Sequence, residues 1–103
     1  MSVDVLVLKD LIVAAMGAEL EDHSDSYPHL DSEYRNFIRE DFEVEDLDGS
    51  GRFIITSPWV FGGIVVSQEP VETDDKASIR NTHSIRQAAI CLIATANDWR
   101  SPN

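Results

Sequence analysis

Lysine is almost missing from this chain: two residues in 103, alongside six arginines and nineteen carboxylates, for a formal charge of −11. A surface of that sign repels duplex nucleic acid and anionic membranes and attracts basic protein surfaces, so direct nucleic-acid or membrane binding is disfavoured. Cysteine is scarcer still. Cys91 is the sole example, which rules out an intrachain disulfide and the paired spacing of zinc sites. It sits in the apolar run AAICLIATA with no charged neighbour to stabilise a thiolate, so it reads as a core hydrophobe and not as a nucleophile. No basic leader follows Met1, and Lys9 and Asp10 interrupt the apolar stretch at residues 5–18. Neither a signal peptide nor a membrane span is expected there, and the cytosol is the expected compartment. The chain also lacks an internal repeat, a low-complexity tract, a nucleophile-elbow serine and the flanking pattern that would make Gly62-Gly63 a phosphate loop.

What is present suits one self-sufficient domain: 103 residues, of which 43% are hydrophobic, is enough to bury a core without a disulfide or metal. The charge is unevenly placed. Residues 1–48 hold fourteen carboxylates against Lys9, Arg35 and Arg39, a balance of −11, whereas residues 49–103 hold five acids and five bases and are neutral.

Along residues 3–20 apolar side chains are too dense for a thin stripe, but Val5, Leu8, Ile12, Ala15 and Met16 mark a helical face, with Ser2 or Asp4 as cap. A short strand over residues 3–8 leading into a helix is the competing reading, because β-branched residues alternate there. Residues 21–31 are polar, contain Pro28 and form an acidic loop. Asp31 or Ser32 then caps a short helix, with Leu30 as apolar staple and Tyr34, Phe37 and Ile38 at helical spacing, ending near Asp41. Phe42-Glu43-Val44-Glu45 alternates with period two. Asp48-Gly49-Ser50-Gly51 supplies a turn before the β-rich residues 52–56, and Leu47, out of phase, marks a bulge or a strand end at Asp46. Ser57-Pro58 breaks the run, and residues 59–67 make a third strand, open to interruption at the glycines. The last segment places Ile85, Ala88, Ala89, Leu92, Ala96 and Trp99 on one helical face, with Asp74 or Asp75 as cap and Pro102 beyond the end. The expected architecture is α+β: two N-terminal helices, a three-stranded antiparallel meander and a C-terminal amphipathic helix packed on the sheet.

Several groups invite a chemical reading. Asp46-Leu47-Asp48-Gly49-Ser50-Gly51 resembles the first half of an EF-hand calcium loop. However, the position requiring a bidentate glutamate is Ser57, followed by Pro58 in a β-rich run, so an acidic hairpin turn is the better reading. His23 and His29 lie among Glu21, Asp22, Asp25 and Asp31 without metal-ligand spacing and read as solvated loop histidines. His83 and Arg86, one helical turn apart with Arg80 nearby, read as the wet face of a helix ahead of an anion site. Carboxylate pairs in so acidic a chain say nothing about acid or base catalysis. No enzymatic activity, metal or cofactor is expected.

The acidic surface remains. Glu43 and Glu45 project to one side of a strand, and Glu33 and Glu40 lie two turns apart on one helix face. With Glu19, Glu21, Asp22, Asp25, Asp46 and Asp48 they would form an extended negative track imitating a phosphate backbone. Holding like charges together costs folding free energy, which favours a functional reason. Adaptation to a salty cytosol should instead spread acids over both halves. The leading expectation is therefore an inhibitor of the kind phages and mobile elements encode, blocking the basic nucleic-acid-binding surface of a defence or DNA-processing protein. The alternative is an acidic adaptor or immunity-type protein that neutralises one basic partner; a calcium-responsive module using Asp46, Asp48 and Ser50 is a third. Trp59, Phe61 and Trp99, if exposed, would also serve a homodimer.

Overall fold

The computed structural model describes residues 5–47, 49, 51–67 and 75–102, with the side chains of residues 75–83 left aside. The expected caps Ser2, Asp4 and Asp74 and the turn residues Asp48 and Ser50 lie outside the described residues.

Helix α1 (Val5–Asp22) buries Leu8, Ile12, Met16 and Leu20, one stripe at intervals of four, with Val5 and Ala15 packed beside it. That sustained period settles the competition with a strand from Val5 onward. The helix runs two residues into the segment expected to be loop, and a 3-10 turn at Ser24–Ser26 follows. Glutamate and aspartate at 21 and 22 do not stop a helix as Pro28 does.

Helix α2 (Ser32–Glu40) starts where the cap chemistry places it: Asp31 Oδ1 accepts the Tyr34 N–H at 3.0 Å, Leu30 is buried just ahead, and Ile38 faces the core. Strands β1 (Glu43–Asp46), β2 (Arg52–Ser57) and β3 (Val60–Ser67) pair antiparallel in the order β1-β2-β3, the expected meander. Phe42, Val44, Phe53, Ile55 and Val66 point to the core. Leu47 is exposed and its N–H donates to the Arg52 carbonyl at 2.9 Å, closing the hairpin just past the end of β1.

At the second hairpin Ser57 pairs with Val60 while Ile55 pairs with Ile64, so Phe61-Gly62-Gly63 stands opposite the single residue Thr56. The strand bulges there without breaking, and Gly62 and Gly63 take φ of +83° and +79°, a region unfavourable to other residues. Trp59, expected in the third strand, instead lies in the turn before it. Its side chain is fully buried, and Nε1–H donates to the Leu92 carbonyl at 3.0 Å.

Helix α3 (Asp75–Trp99) buries Ala88, Ala89, Leu92, Ile93 and Ala96. Cys91 is exposed, contrary to the core position expected of it. A helix buries one stripe, and Cys91 falls about 130° from the centre of this one, so an apolar neighbourhood in sequence does not make a core position. Helices α1 and α3 pack on each other over one face of the sheet, α1 against β1 and α3 against β3, and α2 closes onto both helices. His29 N–H donates to Asn97 Oδ1 at 2.9 Å and ties the acidic loop to α3. No helix among the described residues is long and apolar enough to cross a membrane.

Candidate acidic interaction surface

Most carboxylates of the amino-terminal half are on the outside. Glu21, Asp22, Asp25, Glu33, Glu40, Glu43, Glu45 and Asp46 are exposed, Glu19 is half-buried, and Asp48 lies outside the described residues. Burial explains the pattern on each element. Ile38 turns inward on α2, so Glu33 and Glu40, about 20° apart around the helix, share the opposite side. Val44 turns inward on β1, so Glu43 and Glu45 emerge together on the side away from the helices, opposite Thr56 and Ile54. Only Asp41 and Phe42 separate Glu40 from Glu43, so the acids of α2 lead directly into those of β1.

Two members of the expected track have structural employment. Glu19 Oε2 accepts the Tyr27 O–H at 2.7 Å, and burial, followed by this hydrogen bond and the carboxylate charge, pushes the phenol up to about 12. Asp46 Oδ1 accepts the Gly49 N–H at 2.8 Å and closes the hairpin turn.

The bases of this half are directed elsewhere. Arg35 donates from Nε to the Leu30 carbonyl at 2.8 Å and from its terminal nitrogen to the Ser24 carbonyl at 3.2 Å, fixing the 3-10 turn and the following loop against α2. Lys9 Nζ lies 5.1 Å from the centre of the Phe42 ring and 3.4 Å from the Glu40 carbonyl. Arg39 lies with its guanidinium against Gly17, and its Nε is buried without a hydrogen-bond partner. Arginine and lysine thus serve backbone carbonyls, an aromatic face and a helix crossing. Among the described residues, Glu21, Asp22, Asp25, Glu33, Glu40, Glu43 and Glu45 form no ion pair.

The carboxylates of α1 do not sit together on one side. At about 100° per residue, Glu19 and Glu21 are about 160° apart around the helix. Between their borders runs a feature that sequence reasoning did not single out: Val7, Leu11, Ala14 and Ala18, at i, i+4, i+7 and i+11, form an exposed apolar strip. Its signal was the apolar density of residues 3–20, which exceeds what one buried stripe can absorb. Beside the strip a groove of about 410 Å³ opens between α1 and α3, lined by Leu11, Ala15, Ala18 and Ile85, with Glu19 and Asp22 on one wall and Arg86 on the other.

The remaining candidates gain little. Ser57, the position a calcium loop needs as glutamate, ends β2, and no exiting helix follows. His23 is exposed, His29 is half-buried, and no group of three metal-ligating side chains gathers among the described residues. Arg86 is exposed, while the side chains of Arg80 and His83 lie outside the described residues. Of the three aromatics expected to serve a dimer, Trp59 is in the core, Phe61 is 91% exposed on the glycine bulge, and Trp99 is half-exposed beside Tyr34 and Trp59. Arg100 stacks 3.7 Å over the Tyr34 ring, so this aromatic corner is already capped by a cation of the same chain.

No protein-family model matches the chain, and neither a curated protein nor a solved structure shows significant similarity to it.

Proposed function

We propose that this chain is a non-enzymatic acidic binding protein whose amino-terminal carboxylates engage a basic surface of another protein, as an inhibitor that imitates nucleic acid does. One observation carries the reading. The three bases of residues 1–48 are turned to carbonyls, to Phe42 and to Gly17, and among the described residues Glu33, Glu40, Glu43 and Glu45 stand on the outside without an ion pair to them. A fold selected only for stability would pair at least some of them, because uncompensated like charges oppose folding. Glu33, Glu40, Glu43 and Glu45 are the central contact residues of this reading, and a nucleic-acid-binding protein of a defence or DNA-processing system is the class of target.

The test is capture from a lysate on the immobilised protein, followed by challenge with duplex DNA and with salt. The reading expects nucleic-acid-binding proteins that both DNA and salt release. Retention that neither weakens would remove it.

The apolar strip of α1 favours a second reading, an acidic adaptor or immunity-type protein, since a phosphate backbone has no such strip. In that case the captured partner keeps hold of its DNA while bound.

A further inference from the structure

We propose that the outward face of α1 is a docking site for one amphipathic helix of a partner protein, apolar along its centre and basic along its borders. The inference rests on the acidic half being a binding surface, and it stands apart from whether that surface imitates nucleic acid.

The first step is the excess of apolar surface. The stripe of Leu8, Ile12, Met16 and Leu20 already supplies α1's share of the core, yet Val7 remains 50% and Leu11 45% exposed on the other side. Leucine and valine at that exposure, continued by Ala14 and Ala18 at helical spacing, make a linear strip and not a scattering of single residues. The small alanines let a second helix approach closely, and the adjoining groove of about 410 Å³ offers a place for one or two large side chains beside Leu11, Ala18 and Ile85. From Val7 to Asp22 the face is about 22 Å long, or about four turns of a docked helix.

Charge selects the occupant. Around the helix axis Asp10 and Glu21 fall along one border of the strip and Asp22 along the other, while Glu19, held by Tyr27, lies farther round toward the buried stripe. A second copy of this chain laid strip against strip would bring these carboxylates face to face, in a particle whose halves each carry −11. An acidic or neutral amphipathic helix would cover the apolar centre and leave both borders unanswered. Lysine or arginine on both flanks of a leucine-faced helix answers both, as a helix laid in a groove requires. Among the described residues Arg86 is the one cation lining the groove, on the α3 wall, so the basic flank nearer the groove lies against Asp22 on the α1 wall.

The probe is a synthetic helix of about sixteen residues, with leucine on one face and lysine along both borders, labelled for fluorescence anisotropy with the full chain at physiological salt. A scrambled peptide of identical composition loses the face, and a glutamate-for-lysine peptide reverses the borders. Expected is binding at least about tenfold tighter than either control, with Val7→Asn/Leu11→Asn weakening it by about tenfold or more and Glu43→Gln/Glu45→Gln on β1 changing it by less than about threefold. Both positions on α1 are exposed, and circular dichroism confirms that the variant remains folded. Equal affinity for the scrambled peptide overturns the docking site, as does loss of affinity in the β1 variant alone, and both leave a general acidic binding surface standing. Sedimentation showing a dimer of the free chain that Leu11→Asn dissociates overturns it in favour of a second copy. Absence of binding by every lysine peptide also overturns it, and the lysate competition then judges the broader reading independently.

Discussion

Neutralising Glu43 and Glu45 should stabilise this protein, and the sign of that effect separates carboxylates held for binding from carboxylates held for structure. The two emerge from the same side of β1, which strand geometry sets about 6.5–7 Å apart. Their cross-strand partners are the neutral Thr56 and Ile54, and among the described residues neither forms an ion pair. Two unit charges about 7 Å apart in water repel by about 0.6 kcal/mol, and physiological salt removes roughly half of that. Glutamine keeps the shape of each side chain, so Glu43→Gln/Glu45→Gln relieves the repulsion without a compensating loss. For a domain of about this size the gain is about 2–5 °C in melting temperature at low salt. Asp31 is the contrast. Its carboxylate caps α2 through the Tyr34 N–H at 3.0 Å, so Asp31→Ala costs about 1 kcal/mol and lowers the melting temperature by about 4–8 °C. Thermal unfolding followed by circular dichroism at about 0.01 M and about 1 M salt, where screening lengths are about 30 and about 3 Å, reads both effects. The gain in the double variant should disappear at high salt and the loss in Asp31→Ala should persist. A double variant that melts below the parent at low salt would refute the reasoning, because it would mean that Glu43 and Glu45 hold interactions their surroundings do not display.

Three further outcomes follow from single contacts. In a Tyr34→Phe background, phenolate absorbance should report Tyr27 ionising near 12, and Glu19→Gln should lower that only in part because burial is the larger cause. Since the folded value lies above the ordinary 10.0, the stabilisation is complete below about pH 10 and is lost as pH rises toward about 12; titration at the ordinary value would contradict the contact. Gly62→Ala should cost about 1–2 kcal/mol for its left-handed backbone alone, while Gly63→Ala should cost at least about 1 kcal/mol more in urea unfolding. A Cβ at Gly63 meets Ile54 carbons at 2.9 Å and the Ile55 carbonyl oxygen at 3.2 Å, whereas one at Gly62 meets nothing within 4 Å; equal costs would be inconsistent with that packing. Trp59→Ala should lose about 3–5 kcal/mol and Phe61→Ala less than about 0.5 kcal/mol, and a reversal of that order would reverse the burial assigned to the two rings.

The elements were legible wherever local chemistry and burial agree. Asp31 caps α2 because its side chain suits an unpaired N–H, Leu47 ends β1 because its phase is wrong for the core, and the apolar repeat from Ile85 to Ala96 marks α3. Legibility failed where the deciding neighbour is distant in sequence. Trp59 is drawn out of strand register by a hydrogen bond to Leu92, thirty-three residues away. Cys91 looks like core in a one-dimensional window and is not, because burial follows the angle around the helix. The acidic candidates were found from composition alone, but which of them are engaged was not written there. Glu19 is tied to Tyr27 and Asp46 to the turn at Gly49, whereas Glu43 and Glu45 have neither employment. The destination of the three bases was equally hidden, since an arginine beside many carboxylates in sequence gives no hint that it will bind the carbonyls of Ser24 and Leu30.

The two halves of the acidic region make different demands on a partner, and salt distinguishes them. On α2 and β1 exposed carboxylates dominate, with Ile54, Val65 and Leu47 as their apolar neighbours, so an interface there is held chiefly by charge and weakens steeply with ionic strength. On α1 an apolar strip divides the carboxylates, so an interface there keeps a remainder that salt does not remove. For any partner captured by the protein, the logarithm of affinity against the logarithm of salt concentration should therefore fall and then level off. Glu43→Gln/Glu45→Gln should flatten the fall and spare the plateau, and Leu11→Asn should lower the plateau and spare the fall. A partner held only by the falling part is engaged as a nucleic-acid channel would be, by charge alone. One held only by the plateau meets α1 and treats the carboxylates as borders. Both variants changing both parts equally would mean that the two surfaces are a single site, and the division between them drawn from the rotation of α1 would be wrong.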